Sequence, residues 1–257
     1  MLDKVGIYEF MAEPFHCDFS KRLFMGHLGN HLLNAADFHA DHRGFGMTHL
    51  NPEHKTWVLS RLAIEMAEMP KEYARFNVET WIEGVMKYFT HRNFRVVDAM
   101  DEGKVYGYGR SVWAMINTDT RQPEDILAVK DGEIVKYVDA DRPCPMAVPS
   151  RVKMSAAATL VRTIDTYYSD VDVNGHINSV KYIEHVLDLF GVDWYSENTI
   201  KRLDVAYVAE SHYGDKLNFY SEDQPGGSVC VRITKSSPGV EGEAEVCRCK
   251  VEFMGKR

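Results

Sequence analysis

The stretch SDVDVNGHINSVKYIEHVLDLF, residues 169–190, joins a polar turn directly to an amphipathic helix. The apolar residues of its second half follow the i, i+3, i+4, i+7 spacing of one helical face: Ile183, Val186, Leu187 and Phe190. Asn178 is a favourable N-cap residue, and Gly191 is a natural residue for the position just after a helix. The sequence therefore predicts a helix over about residues 178–190, entered from a turn.

Working outward from this helix, the same order of elements occurs twice. In the second half an extended segment at 153–168 precedes the helix, and four strand-like runs follow it, at 201–210, 216–222, 230–235 and 242–253. In the first half the extended segment is 4–13, the helix about 24–42, and the runs are 56–67, 76–88, 94–98 and 105–118. The first helix has a shared face of five residues: Leu28, Leu32, Ala35, Ala36 and His39.

One helix followed by several long antiparallel strands fits a sheet that wraps around that helix, which is the hotdog pattern. We therefore predict an α+β fold of two tandem hotdog domains, each an antiparallel sheet wrapped around a long helix. Four of the nine prolines lie at positions 123–149, which predicts a linker over 121–150 with a short helix at 123–129. The predicted domains are 1–140 and 150–257, within a chain of 257 residues.

Composition excludes several classes of protein. The formal net charge of -8 argues against a nucleic-acid binder, which needs a surplus of Lys and Arg. The first 15 residues carry acids and no long apolar core, so we expect no secretory signal there, and no run approaches the ~18 apolar residues of a membrane span. The five cysteines form no CxxC pair, so we expect reduced thiols in a cytoplasmic protein, with Cys247 and Cys249 on one face of a strand.

The densest polar cluster lies just before the second helix. Asp and Asn there suit a simple turn. If the backbone is extended, however, Asp172, Asn174 and His176 alternate and point to one side, beside the permissive Gly175. The helix that follows presents free backbone N–H groups, which suit a developing oxyanion. The pattern thus indicates a candidate catalytic site.

The run SDVDVNGHINSVKYIEHVL resembles the signature of plant and bacterial acyl-ACP thioesterases, in which D-x-N-x-H-x-N-N-x-x-Y leads into the second hotdog helix. Four segments of the first half also resemble the family: GFG at 44–46, TWVLSR at 56–61, VETW at 78–81 and RSVWAMIN at 110–117. The resemblance extends from Ile7 to about Phe253. This number of ordered segments is far more specific than D-x-N-x-H alone.

The resemblance implies that Asp172, Asn174 and His176 are catalytic, together with an acid on a later strand. The matching segment is VAYVAES at 205–211, so the acid is Glu210. Plant members typically carry Cys after this acid, whereas this chain has Ser211, so a Cys–His nucleophile is excluded at this position. Asn174 is expected to position the carbonyl or the water, and Asp172 to fix the His176 tautomer. Either Glu210 or His176 can be the general base.

The implied function is hydrolysis of long-chain acyl-ACP by activated water, which releases free fatty acid and holo-ACP. No cofactor is expected, and acyl carrier protein is the expected partner. The second domain is expected to hold the catalytic residues and the first to shape the acyl pocket. An acyl-CoA thioesterase of the same fold and a non-catalytic acyl-binding protein stay open, as do acyl chain length, saturation and assembly as a homodimer.

The clusters of histidines and of basic residues have simpler structural explanations. His27 and His31 are four residues apart, a spacing that can bind zinc, but HExxH is absent and the resembled family uses no metal, so we predict no metal site. Basic residues cluster in three places, any of which is either a solvated face or a docking site for the acidic carrier protein. They are Lys87 with His91, Arg92 and Arg95; Lys21 with Arg22; and Lys201 with Arg202.

Overall fold

The structure is a computed structural model that describes residues 2–255. Its internal contacts divide the chain into two units, Met1–Pro149 and Ser150–Arg257. Residue 1 and residues 256–257, where the outer ends of the predicted domains 1–140 and 150–257 fall, lie outside the described residues. Within residues 2–255, no helix has both the length and the hydrophobicity that a membrane crossing requires.

The first unit is an antiparallel sheet with one long helix. Its strands are ordered β1-β3-β4-β5-β2, and every neighbouring pair is antiparallel. The elements are β1 (Val5–Met11), α1 (Met25–Asp41), α2 (Met47–Leu50), β2 (Lys55–Met66), β3 (Arg75–Val85), β4 (Phe89–Asp98) and β5 (Val105–Asn117).

The helix α1 buries the face that its sequence predicts. The five residues of that face are all buried: Leu28, Leu32, Ala35, Ala36 and His39. Inside this core, burial and the nearby Arg92 and Arg43 lower the pKa of His39 to about 2, so its ring is neutral. His39 Nε2 lies 3.0 Å from the carbonyl oxygen of Lys4, which joins the helix to the start of the chain.

The segment predicted to be a linker is largely part of the first unit. A 3-10 segment, Ile126–Tyr137, replaces the predicted short helix and is kinked between Val129 and Gly132. Ile126, Val129 and Ile134 are buried in one apolar cluster with Phe45 and Met115. The linker prediction was therefore wrong for this stretch. The prolines indicated an irregular backbone, but apolar side chains still bury that backbone against the sheet.

The second unit repeats the arrangement with a shorter helix. Its strands are ordered β7-β10-β9-β8-β6, again with antiparallel neighbours. The elements are β6 (Thr159–Asp165), α3 (Ser179–Leu187), α4 (Val192–Glu197), β7 (Asn198–Tyr207), β8 (Lys216–Gln224), β9 (Ser228–Ser236) and β10 (Ala244–Gly255). The α+β prediction of a sheet with a helix in each half is confirmed.

The end of α3 differs from its prediction. The helix ends at Leu187 with Asp188 as its C-cap, and Gly191 is instead the N-cap of α4. Phe190 packs against Phe253 of β10, with ring centroids 4.8 Å apart. Phe190 is therefore apolar because it makes a tertiary contact after the helix has ended. Helical spacing alone cannot tell such a residue from one in the last turn of a helix.

The strand β10 shows the alternation expected of a half-buried strand. Cys247, Cys249 and Val251 are fully buried, whereas Arg248 and Lys250 between them are partly exposed. The prediction that Cys247 and Cys249 share a face is confirmed, since their Sγ atoms are 3.7 Å apart. All five cysteines are free thiols.

Candidate active site

The polar cluster before α3 forms a closed turn. Val171 and Ile177 make an isolated β-bridge, and inside it the Asp172 N–H donates to the His176 carbonyl at 2.8 Å. Gly175 has φ +80°, in the left-handed region that glycine adopts without strain. The extended backbone assumed for Asp172, Asn174 and His176 was therefore wrong, because the chain turns between them.

Asp172 builds this turn. Its Oδ1 accepts the N–H of Asn174 at 2.8 Å and the N–H of His176 at 3.3 Å. These are the bonds of an Asx-type turn, which set the backbone from which the His176 side chain projects. The structure thus places the Asp172 carboxylate on backbone amides, and the carboxylate beside the His176 ring belongs to another residue.

That residue is Glu210. His176 Nε2 lies 3.4 Å from Glu210 Oε2, and both side chains are partly exposed, at 26% and 31%. A carboxylate beside an imidazole orients the ring. The fold thus brings together two residues 34 positions apart in the sequence (210 − 176). The partial exposure leaves both within reach of water and of an incoming substrate.

Two backbone contacts hold Glu210 at the turn. The Ile177 N–H donates to the Ser211 carbonyl at 2.8 Å, which joins the turn to the loop that follows β7. Lys235 of β9 donates from Nζ to the Glu210 carbonyl at 2.7 Å. Lys235 also lies 3.7 Å from Asp215 Oδ2. Sequence analysis missed Lys235, because nothing in its strand context links it to the D-x-N-x-H run.

Asn174 and the start of α3 supply the remaining polar groups. Asn174 is exposed, so its carboxamide faces solvent. Asn178 caps α3 as predicted, accepting the Val180 N–H at 2.9 Å, and its carbonyl accepts the Lys181 N–H. Two amides of the first helical turn are thereby occupied. Asn174 is consequently a better candidate oxyanion donor than those amides.

Ser211 lies in the interior. It is fully buried, and its Oγ is hydrogen-bonded to the Tyr182 hydroxyl. Burial raises the pKa of Tyr182, so the phenol stays protonated and cannot serve Ser211 as a base. Glu210 is partly exposed whereas Ser211 is buried. Because β7 ends at Tyr207, this difference in exposure comes from the path of the loop after the strand and not from the alternation of side chains along a strand.

A second histidine at the site was not predicted. The His212 ring meets His176 edge to face, with centroids 5.0 Å apart, and His212 is exposed. Asp215 holds its backbone, since Oδ2 accepts the His212 N–H at 2.9 Å. Burial would raise the pKa of Asp215, but hydrogen bonds from Ser237 and the His212 amide, with the Lys235 cation, lower it overall. The adjacency of His212 to the Glu210–Ser211 pair was the available signal.

Comparison with known proteins supports one family. Residues 8–133 match the family described as acyl-ACP thioesterase N-terminal domain, and residues 154–255 match the acyl-ACP thioesterase C-terminal domain. An acyl-ACP thioesterase from Bacteroides thetaiotaomicron is 50% identical, with a TM-score of 0.89 over 98% of both chains. The 12:0-ACP thioesterase from Umbellularia californica is 21% identical with a TM-score of 0.84, over 100% of this chain and 99% of that one, which supports the fold.

Curated plant proteins are also similar. A dodecanoyl-[acyl-carrier-protein] hydrolase of Cinnamomum camphora is 25% identical over 88% of this chain and 62% of its own length. A palmitoyl-acyl carrier protein thioesterase of Arabidopsis thaliana is 29% identical over 65% of this chain and 41% of its own length. The chain thus spans less than two thirds of the length of these relatives. The two family matches, together with the half-identical bacterial structure, show that this chain belongs to the acyl-ACP thioesterase family.

Proposed function

We propose that this protein hydrolyses the thioester of long-chain acyl-ACP, releasing free fatty acid and holo-ACP. The observation that carries the proposal is the His176–Glu210 pair, 3.4 Å apart and open to solvent at the end of a tight polar turn. Family membership supports the choice of a thioester as the substrate. Asn174 lies in the same turn as His176 and is exposed, so its carboxamide is open to an incoming substrate.

In the proposed mechanism, water attacks the thioester carbonyl carbon while the His176–Glu210 pair accepts one of its protons. The carbonyl π electrons move to oxygen, and the Asn174 carboxamide donates to the resulting oxyanion. When the carbonyl re-forms, the C–S bond breaks and its electron pair leaves with sulfur. The proton held by the pair then goes to the carrier thiolate. Asp172 acts indirectly, because its carboxylate holds the turn that presents Asn174 and His176.

Turnover on a panel of acyl-ACPs and acyl-CoAs of graded chain length tests this function. Release of free thiol from long-chain acyl-ACP is the expected result. Tight binding of acyl-ACP without thiol release would favour the non-catalytic acyl-binding alternative. The plant relatives are named for dodecanoyl, palmitoyl and oleoyl substrates, so the panel has to cover that whole range.

We further propose that the first unit shapes the acyl pocket. Its interior supplies large apolar side chains, among which Met25, Met66 and Trp81 are buried. Such side chains suit an alkyl chain, because contact between them removes the apolar surface of both the alkyl chain and the protein from water, which is favourable. The dependence of kcat/KM on acyl chain length, measured with the panel of acyl-ACPs, tests this pocket independently of the catalytic groups.

Most residues of the three basic clusters are buried or paired with carboxylates, so fewer of them than the sequence suggested are available to an acidic carrier protein. Arg92 is buried, and Arg95 pairs with Glu79. Lys21 and Arg22 pair with Glu72 and Glu68, and Arg202 pairs with the buried Asp204. Lys87 and Lys201 are the members of the first and third clusters that are most open to solvent. These two lysines are therefore the best positions for testing carrier docking.

We expect a higher kcat/KM for acyl-ACP than for acyl-CoA with the same acyl chain, and a decline of the acyl-ACP value as salt rises. The reason is that an acidic carrier is attracted by exposed lysines, and salt screens such contacts. The charge reversals Lys87→Glu and Lys201→Glu, measured separately at low salt, identify which lysine contributes. Equal kcat/KM for both carriers at low salt would contradict docking of the carrier protein.

A further inference from the structure

A cluster of potential metal ligands lies in the first unit, outside the candidate active site. One ring nitrogen each from His16 and His31 and one carboxylate oxygen of Glu13 all lie within 4.8 Å of one another. His27 lies beside them, its ring stacked on His16 with centroids 4.1 Å apart. Two imidazoles and a carboxylate form a donor set that zinc commonly uses.

The tertiary fold assembles this cluster from two segments. Glu13 immediately precedes a short 3-10 turn, Pro14–His16, that follows β1, and His16 is the last residue of that turn. The carbonyl of His16 accepts the Phe24 N–H at 2.9 Å, which ties this turn to the residue before α1. His31 lies on α1, one turn after His27. The helical spacing lacked an acid, and the turn after β1 supplies both that acid and another histidine.

His31 is the fixed member of the cluster. Its ring packs against Phe10 and Phe76, with centroids 4.5 and 5.6 Å away. Its Nε2 is buried and has no hydrogen-bond partner within residues 2–255, which is costly for a polar atom. Burial also lowers the pKa of His31.

Glu13 and His16 are the adjustable members. Their side chains are 46% and 41% exposed, and Glu13 Oε2 lies 3.1 Å from His16 Nδ1. Zinc ligands at about 2.1 Å in a tetrahedron lie roughly 3.4 Å from one another. Small rotations of these two exposed side chains toward the fixed His31 therefore suffice. The exposure also gives an ion a path from solvent and leaves room for a water as a fourth ligand.

We propose that Glu13, His16 and His31 form a binding site for a divalent first-row transition metal ion, best suited to Zn²⁺. The ion takes the place of the direct contact between Glu13 Oε2 and His16 Nδ1, which are 3.1 Å apart. Bound there, it joins the turn after β1 to α1 within the first unit. The site is structural in this proposal and takes no part in thioester hydrolysis, so it is independent of the proposed function.

The test uses the full chain without a histidine tag, stripped with a chelator and then titrated with Zn²⁺ by calorimetry and with Co²⁺ by visible absorption. One equivalent of metal and the absorption of low-symmetry Co²⁺ are the expected results. Zn²⁺ should also raise the Tm, because a ligand that binds only the folded state stabilises it. Glu13→Gln, His16→Ala and His31→Ala should each weaken binding about 10-fold or more.

The exposed His49 of α2 provides the matched control, since His49→Ala removes a histidine from the same unit without touching the cluster. It should bind metal like the wild type. If His31→Ala does not fold, Glu13→Gln and His16→Ala decide the outcome, because both positions are exposed. Absence of stoichiometric binding in the wild type, or equal affinity in wild type and the cluster variants, would overturn the proposal.

Discussion

Replacing His176 with alanine is expected to lower kcat for acyl-ACP by about 100-fold or more, because the variant loses one half of the proton-accepting pair. Asn174→Ala is expected to lose turnover to a similar extent, about 100-fold, through loss of the oxyanion donor. Both side chains lie at a solvent-exposed turn whose backbone is held by Asp172, so the fold should be retained. Steady-state thiol release gives the loss in kcat.

Circular dichroism and thermal melts of the same preparations separate loss of chemistry from loss of fold. The exposed His49 again provides a matched control, because His49→Ala removes an imidazole from the other unit. It should turn over like the wild type. Near-wild-type turnover by His176→Ala or by Asn174→Ala would remove that residue from the proposed mechanism.

Glu210→Gln is expected to lose about 100-fold or more in kcat/KM, whereas Ser211→Ala keeps most of the activity. Gln preserves the shape beside His176 but cannot accept a proton or carry the charge that stabilises an imidazolium. Ser211 is fully buried and hydrogen-bonded to Tyr182, so a substrate that arrives from solvent does not reach it. Loss of the Ser211 hydroxyl should lower the free energy of unfolding by about 1 kcal/mol, the contribution of one buried hydrogen bond, and should have little effect on kcat/KM.

Mass spectrometry during turnover adds a direct readout. The water-attack mechanism predicts no acyl adduct on the enzyme, and the burial of Ser211 against the Tyr182 hydroxyl supports it. An acylated Ser211, or an inactive Ser211→Ala beside an active Glu210→Gln, would establish a covalent mechanism. Comparing the pH profiles of Glu210→Gln and wild type then shows whether Glu210 or His176 sets the ionisation that controls kcat.

The candidate site shows where prediction from sequence stops. Local rules were sufficient for the Asn178 cap and for the buried face of α1, because both depend on residues within a turn or two. They failed for the backbone of residues 172–176, where the Asp172 carboxylate competes for amide groups and bends the chain. They also failed at Gly191, because the contact of Phe190 with Phe253 cannot be inferred from helical spacing.

The sequence by itself determined the α+β organisation, the repeated order of elements and the identity of His176 and Glu210 as candidates, since periodicity and motifs are properties of short segments. Only the tertiary structure decided which carboxylate meets the His176 ring. Asp172 is nearer in sequence, yet its Oδ1 accepts two backbone amides. The Ile177–Ser211 and Lys235–Glu210 bonds instead bring Glu210 to the ring. The same reason applies to Glu13, His16 and His31, whose ligand atoms converge only after β1 and α1 have packed.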